Sequence, residues 1–291
     1  IMSDPTASTM VFHQGALGDS VLLWPLLRGL GPTVLVTGGD KAALAAHHLE
    51  NVAPLDANSP GVSRLFADAA PDEVDSRLRR HLETARRIVS FVSGGDDVWA
   101  ANVKRLAPRA ALYVVPPRVE PASSRHATDQ HRAHLAGQGL RVAPIMPERR
   151  ISRGGPIVVH AGSGGLAKCW PAERFETVID RLRRAGRAVT VLLGEAERDR
   201  WPGDRLTRWR GRFDLRMPRD LLELADLIGG ASCYLGNDAG PTHLAAQLGV
   251  RTVAIFGPTD PGVWGPRGPA VNIVAPDTPG PIDLVTIDDV L

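Results

Sequence analysis

The stretch Ser232–Pro266, SCYLGNDAGPTHLAAQLGVRTVAIFGPTDPGVWGP, constrains the fold of this chain more than any other. Ser232 to Leu235 is a short apolar strand, and Gly236-Asn237-Asp238-Ala239-Gly240 is a tight turn. Pro241 suits the first position of a helix, where its missing N–H would have no partner anyway. Thr242 to Leu248 reads as that helix, and Gly249 as the glycine that ends it. Thr252 to Phe256 is a second apolar strand. Two buried-type strands joined by a helix form a parallel βαβ unit, so the chain belongs to the α/β class. The free N–H groups of the helix start suit a phosphate. Most such turns bind nothing, but here Asn237, Asp238, Thr242 and His243 gather at the carboxyl end of the strand, where open α/β sheets bind ligands.

The same alternation runs through the rest of the 291 residues, a length that accommodates two domains. The polar segment PERRISRGG from Pro147 reads as the linker, dividing a domain over 1–147 from one over 156–291. In the first half, Met10–Gln14, Thr33–Thr37, Arg87–Val92 and Ala110–Val115 read as strands. Helices are expected over Ser20–Leu30, kinked or restarted near Trp24 by Pro25, over Asp40–His48 capped by Asp40, and over Asp72–Ala85, Asp96–Leu106 and Ser124–Gly139. In the second half, Pro156–His160 and Ala188–Leu193 read as strands, with helices from Pro171 and over Pro218–Ile228.

Composition excludes several classes. A formal charge of +2 gives no basic stripe for nucleic acid. No run approaches the roughly 18 apolar residues that span a bilayer. The first fifteen residues show no basic stretch followed by an apolar one, so no secretory leader is expected there. Cys169 and Cys233 lack metal-ligand spacing and fit a reducing compartment. His126, His131 and His134 share one expected helix, with 131 and 134 on a common face. Without a supporting carboxylate or cysteine, a solvated or substrate-facing helix is the better reading than a metal site.

Two further loops carry chemistry. After the first strand, Gly15 and Gly18 allow a tight turn and close approach of a ligand, and Asp19 is either a helix N-cap or a functional carboxylate. Residue physics alone favours the cap. After the strand at 156–160, the loop Gly162–Ala167 fits the loose dinucleotide pattern G-x-G-x-x-A, which would make the protein an NAD(P)-dependent oxidoreductase. Against this, Trp170-Pro171 postpones the helix that a Rossmann turn feeds directly, and the loop opens the second half of the chain. No G-x-x-x-x-G-K-[ST] sequence exists. Lys168 is either a solvated loop lysine or a cation for a phosphate.

GNDAGPTHLAAQLG, followed by AIFGPTDPGVWGP, closely resembles the signature of glycosyltransferase family 9, which contains the ADP-heptose:lipopolysaccharide heptosyltransferases. HQGALGDSVLLWPLLRGL and HAGSGGLAKCWPAERF resemble its two other characteristic segments. The resemblance implies the GT-B architecture, two Rossmann-like domains facing a central cleft. It implies Asp19 as general base on an acceptor-side loop with Gly15 and Gly18. It implies a donor site of Ser163, Gly164 and Lys168 with Asp238, Ala239, Gly240, Thr242 and His243. Lys168 would meet the diphosphate, and Asp238 would cap the helix or orient donor hydroxyls. Glu195 or Glu197 would meet the nucleoside sugar, and the adenine-contacting position would fall near Met217 to Arg219.

The implied reaction is inverting transfer, without resident cofactor, from a nucleotide-diphosphate sugar to a glycan or lipid-linked saccharide. By family default the donor is ADP-linked heptose. The chain holds no Asp-x-Asp pair, the metal-binding device of GT-A transferases, so no metal is expected. A cytoplasmic location follows, with peripheral contact at the inner membrane left open. A nucleotide-sugar-binding protein without catalysis is the remaining alternative. Between Gly31 and Pro147 the resemblance is thin.

Overall fold

The computed structural model describes residues 8–68, 74–120, 123–150 and 154–291. The chain divides into two compact units, Ile1–Ile145 and Met146–Leu291.

The first unit runs β1 Thr9–Phe12, α1 Leu17–Leu22, α2 Trp24–Gly29, β2 Thr33–Thr37, α3 Gly39–His48, β3 Val52–Asp56, α4 Pro60–Ser63, α5 Ser76–Thr84, β4 Arg87–Ser90, α6 Val98–Leu106, β5 Ala111–Val114 and α7 Ala127–Gly137. Its sheet is parallel in the order β3-β2-β1-β4-β5, with Thr9 opposite both Thr33 and Arg87. β1 and β4 are buried at every position, as expected of central strands covered on both faces. Pro54 sits in β3, an edge strand, where a residue without an N–H is tolerated. Met10, Phe12, Val36, Leu55, Ile88 and Trp99 build the core on one face, with Phe12 and Trp99 packed edge to face at 5.0 Å.

Pro25 settles the helix after β1. α1 stops at Leu22, Leu23 makes the break, and α2 restarts at Trp24 with Pro25 in its first turn, where no N–H is needed. One expected cap moves. Gly38, not Asp40, precedes α3, and Asp40 lies in the first turn, where its charge suits the helix dipole. Asp75 caps α5 by accepting the N–H groups of Arg77 and Leu78; of the helix expected from Asp72, residues 72 and 73 lie outside the described residues. On α7, His131 is buried and His134 exposed. His126 caps that helix, its Nδ1 accepting the N–H of Thr128 at 3.2 Å.

The second unit runs β6 Ile157–His160, α8 Ala172–Arg184, β7 Val189–Leu192, α9 Glu195–Arg200, α10 Gly203–Arg212, β8 Asp214–Arg216, α11 Leu221–Gly229, β9 Cys233–Asn237, α12 Gly240–Gln247, β10 Thr252–Ile255, α13 Pro261–Trp264, β11 Val271–Val274 and α14 Ile287–Val290. The sheet is again parallel, in the order β11-β10-β9-β6-β7-β8. α8 buries Phe175, Val178 and Ile179 on one stripe, beside Trp170 and Trp209. Gly249 follows α12 with φ +75, the left-handed conformation that suits glycine, and a β-carbon there would meet the Glu148 carbonyl oxygen at 2.1 Å.

Each sheet reverses direction once. In the first, the chain passes from β1 to β2 on one side and later to β4 on the other; in the second, β6 leads to β7 and β8, and β9 adds on its opposite side. The crevices at the carboxyl ends of β1/β4 and β6/β9 are the topological switch points where such sheets bind ligands.

Candidate functional site

At the β6/β9 switch point, one asparagine ties two loops together. Asn237 ends β9 fully buried. Its amide donates to the carbonyls of Ala161 and Gly162 at 3.1 and 3.2 Å, and its Oδ1 accepts the Trp170 N–H at 3.0 Å. The loop after β6 is thereby held at both ends. Trp170 anchors it further, donating its indole N–H to the Val285 carbonyl at 2.9 Å. Ser163 Oγ donates to the Asp238 carbonyl at 2.9 Å, and Arg200 Nη1 to the Ser163 carbonyl at 3.2 Å. Gly164 is exposed, and a one-turn 3-10 helix over Leu166–Lys168 carries the lysine back toward β9. There Lys168 Nζ pairs with Asp238 Oδ2 at 2.7 Å.

Asp238 is 5% exposed. Burial pushes its carboxyl up, but nearby His243, the hydrogen bond and charge of Lys168, and Thr259 outweigh burial and hold it below the usual carboxylate range. It is not the helix cap that the sequence offered as one option. Ala239 occupies that position, in extended backbone, and no side chain accepts from the first turn of α12. Pro241 has no N–H, so Ala239 and Gly240 supply the donors there. Thr242 Oγ1 donates to the Asn237 carbonyl and lies 3.2 Å from the Tyr234 hydroxyl, locking the start of the helix to the strand before it. His243 Nε2 stands 3.8 Å from Asp238 Oδ1. Its buried Nδ1 has no partner among the described residues.

The two candidate glutamates separate. Glu195 opens α9 with its side chain 86% exposed, 3.9 Å from Arg198. Glu197 is buried, accepts the Gly194 N–H at 2.9 Å and lies against Gly162, where a β-carbon would come within 2.0 Å of the carboxylate. Burial pushes the adjacent His160 imidazole down, with Glu197 acting in the opposite sense. Met217 to Arg219 follow β8 at the edge of the sheet, and Arg219 is engaged with Glu223 at 2.8 Å. A cavity of about 1200 Å³ opens at the opposite, amino edge of the sheet around Ile157, Cys233 and Thr252, away from this polar cluster.

At the β1/β4 switch point the structure groups Gly15, Asp19 and a histidine. Asp19 is the third residue of α1 rather than its N-cap; its Oδ2 accepts the N–H of Ala16, which holds the cap position, at 3.1 Å. Gly18 lies within the first turn of α1 and not in the loop. Gly15 N–H donates to His13 Nδ1 at 3.3 Å, and Lys41 Nζ, from α3, donates to the Gly15 carbonyl. His13, Gln14, Gly15, Asp19, Phe91 and Val92 line a pocket of about 260 Å³. Sequence reasoning passed over His13, Lys41 and Arg200, and it read Asn237 as part of the ligand-side polar cluster, whereas its amide is taken up by the loop backbone. The signal for His13 and Lys41 was positional: each lies just beyond the carboxyl end of a strand.

Among the described residues no group of three His, Cys, Asp or Glu side chains is arranged to hold a metal ion. No described helix is long and apolar enough to cross a membrane.

The profile of glycosyltransferase family 9 (heptosyltransferase) matches residues 119–285. The chain belongs to glycosyltransferase family 9. It is 29% identical over 113 residues to lipopolysaccharide heptosyltransferase 3 of Escherichia coli K12, covering 38% of this chain and 33% of that protein. It is 32% identical over 117 residues to lipopolysaccharide heptosyltransferase 1 of Pseudomonas aeruginosa, covering 40% and 32%. The matched stretch thus spans about a third of each curated relative. Among solved structures, the family 9 glycosyltransferase from Veillonella parvula DSM 2008 aligns over 100% of this chain and 96% of its own, with TM-score 0.71 and 18% identity. The E. coli heptosyltransferase WaaC with ADP aligns over 97% of both chains, with TM-score 0.68 and 18% identity. These likenesses show the fold: two parallel-sheet α/β domains of the GT-B class.

Proposed function

We propose that this family 9 chain is an inverting glycosyltransferase, moving a sugar from an ADP-linked donor to a hydroxyl of a glycan or lipopolysaccharide-type acceptor. Heptose is the sugar the family default supplies. One observation carries the reading: Lys168 and the uncapped first turn of α12 converge on the β6/β9 switch point. That arrangement suits a diphosphate, which needs a cation and free N–H donors together. The WaaC structure with ADP, similar in fold, agrees with the nucleotide.

In this mechanism the acceptor oxygen attacks the anomeric carbon from the face opposite the diphosphate. Its proton passes to Asp19, and the electron pair of the breaking C–O bond leaves on the diphosphate. Lys168 and the α12 N–H groups stabilise the charge that grows there. On donor binding, Lys168 exchanges part of its pairing with Asp238 for the phosphates, and the freed Asp238 oxygen accepts from a donor hydroxyl. Glu197, at the Gly162 loop, is assigned to the nucleoside sugar in preference to the exposed Glu195. With charge neutralised by protein groups and no Asp-x-Asp pair in the chain, the reaction needs neither metal nor cofactor. A lipid-linked acceptor would bring the enzyme to the inner face of the cytoplasmic membrane.

The oxidoreductase alternative is disfavoured by the same loop. It runs from Ala161 to Pro171 before α8 begins, so the G-x-G-x-x-A residues do not lead directly into α8. Incubation with ADP-heptose and heptose-deficient lipopolysaccharide in EDTA tests the proposal. Acceptor-dependent ADP release is expected to persist. Loss of release, restored by magnesium or manganese, would overturn the metal-independent mechanism, and no release in any buffer would overturn the transferase reading.

A further inference from the structure

We propose that His13 is a second acceptor-contacting residue: its neutral imidazole donates an Nε2–H hydrogen bond to an acceptor oxygen next to the hydroxyl that Asp19 deprotonates. The inference rests on the transferase reading above. Its geometry comes from the first unit alone.

His13 directly follows β1, largely buried, at the β1/β4 switch point. The Gly15 N–H donates to its Nδ1, which leaves the proton of the neutral ring on Nε2. Nε2 has no hydrogen-bond acceptor among the described residues. Gly15 is packed between this ring and Asp19. A β-carbon there would stand 2.6 Å from His13 Cε1, 2.8 Å from Nε2 and 2.7 Å from Asp19 Cβ. Only glycine fits between them, so the donor ring and the Asp19 side chain flank the same backbone position. Both border the pocket of about 260 Å³, with Phe91 as an aromatic wall 5.5 Å from the imidazole.

The groups around His13 keep it neutral. Burial pushes its pKa down to about 4, and His131 of α7 and Lys41 of α3 act in the same direction. His131 stacks edge-on against the same Phe91 at 5.1 Å, and Lys41 is fixed on the Gly15 carbonyl. With Nδ1 occupied and Nε2 protonated, His13 is a hydrogen-bond donor and not the base. A polyol matches this pair, because one hydroxyl donates to the carboxylate while its neighbour accepts from the imidazole.

The test compares wild type, His13→Leu and His13→Gln, with ADP-heptose as donor and heptose-deficient lipopolysaccharide as acceptor. Loss of one neutral hydrogen bond is expected to raise the acceptor KM of His13→Leu about tenfold. kcat should fall less, and ADP should raise the melting temperature of all three proteins equally. His13→Gln, whose amide donates near the Nε2 position, should recover most of the loss. An unchanged acceptor KM in His13→Leu would overturn the proposal. Imidazole nitrogen NMR of the wild type decides independently of turnover or of variant folding: the Nε2–H tautomer at pH 7 is expected, and an Nδ1–H tautomer or an imidazolium overturns it. A wild type that shows the expected tautomer but transfers no sugar would sink the transferase reading instead.

Discussion

At Asp19 one carboxylate closes the first turn of α1 and borders the pocket beside His13. Asparagine keeps an oxygen for the Ala16 N–H but accepts no proton usefully, so Asp19→Asn separates the two jobs. A general base contributes about a hundred- to ten-thousand-fold. Transfer by Asp19→Asn should therefore drop at least about a hundredfold while melting temperature and ADP binding hold. Transfer near the wild-type rate would leave Asp19 a purely structural first-turn acceptor. The sequence showed that a carboxylate follows a strand and a glycine turn. It placed that carboxylate at the cap because Asp is a good N-cap. The backbone turns instead at Ala16, and cap position is decided by backbone angles that residue preference only biases. Glu195 and Glu197 were likewise inseparable by spacing, since only the packing of Glu197 against Gly162 distinguishes them.

The element that matters most is the loop between β6 and α8. Its conformation depends on Asn237, a residue 67 positions from Trp170, so its shape could not be read locally. Asn237→Ala leaves two buried carbonyls and one buried N–H without partners. A loss of at least about 3 kcal/mol is expected, at roughly 1–3 kcal/mol per unpaired buried group. ADP should bind more weakly as the Lys168 turn loosens. Equal urea midpoints and equal ADP affinity would show that the loop is held by other contacts. Elements with strong periodicity were legible. α8 was readable from Phe175, Val178, Ile179 and Leu182, and α12 from Pro241 and Gly249. β3, β8, β11 and α10 were not read. β3 contains Pro54, β8 has three residues, and edge strands carry too little apolar pattern to stand out.

For the whole molecule, buried histidines govern the acid side of stability. His13 and His131 are both lowered from 6.5 to about 4, chiefly by burial. Between those values the unfolded chain binds protons that the folded chain refuses, so stability falls as pH drops from 6.5 toward 4. Each histidine contributes up to about 3 kcal/mol to that fall. Asp238 acts lower: its carboxyl is held below 3.8, so its contribution is complete above that value and is lost as pH falls through the depressed one. Urea midpoints should decline from pH 7 to pH 4.5, with a shallower decline in His131→Gln. A flat profile would mean these imidazoles are not excluded from protonation in the folded state. The α/β alternation made the fold class legible. Between Gly31 and Pro147 the resemblance thinned, although the likeness to the Veillonella structure spans the entire chain. A parallel sheet needs only buried strands and amphipathic helices, which many sequences supply.

Thermal melting with ADP, adenosine or NAD, run on wild type and Lys168→Ala, asks whether the second sheet holds a nucleoside diphosphate at the β6/β9 crevice. ADP should raise the wild-type melting temperature in a concentration-dependent way. Lys168→Ala should lose most of that rise, its response to adenosine should match wild type, and NAD should stabilise neither as ADP does. An equal ADP shift in both proteins would remove Lys168 from the site, and stabilisation by NAD with ADP silent would contradict the account.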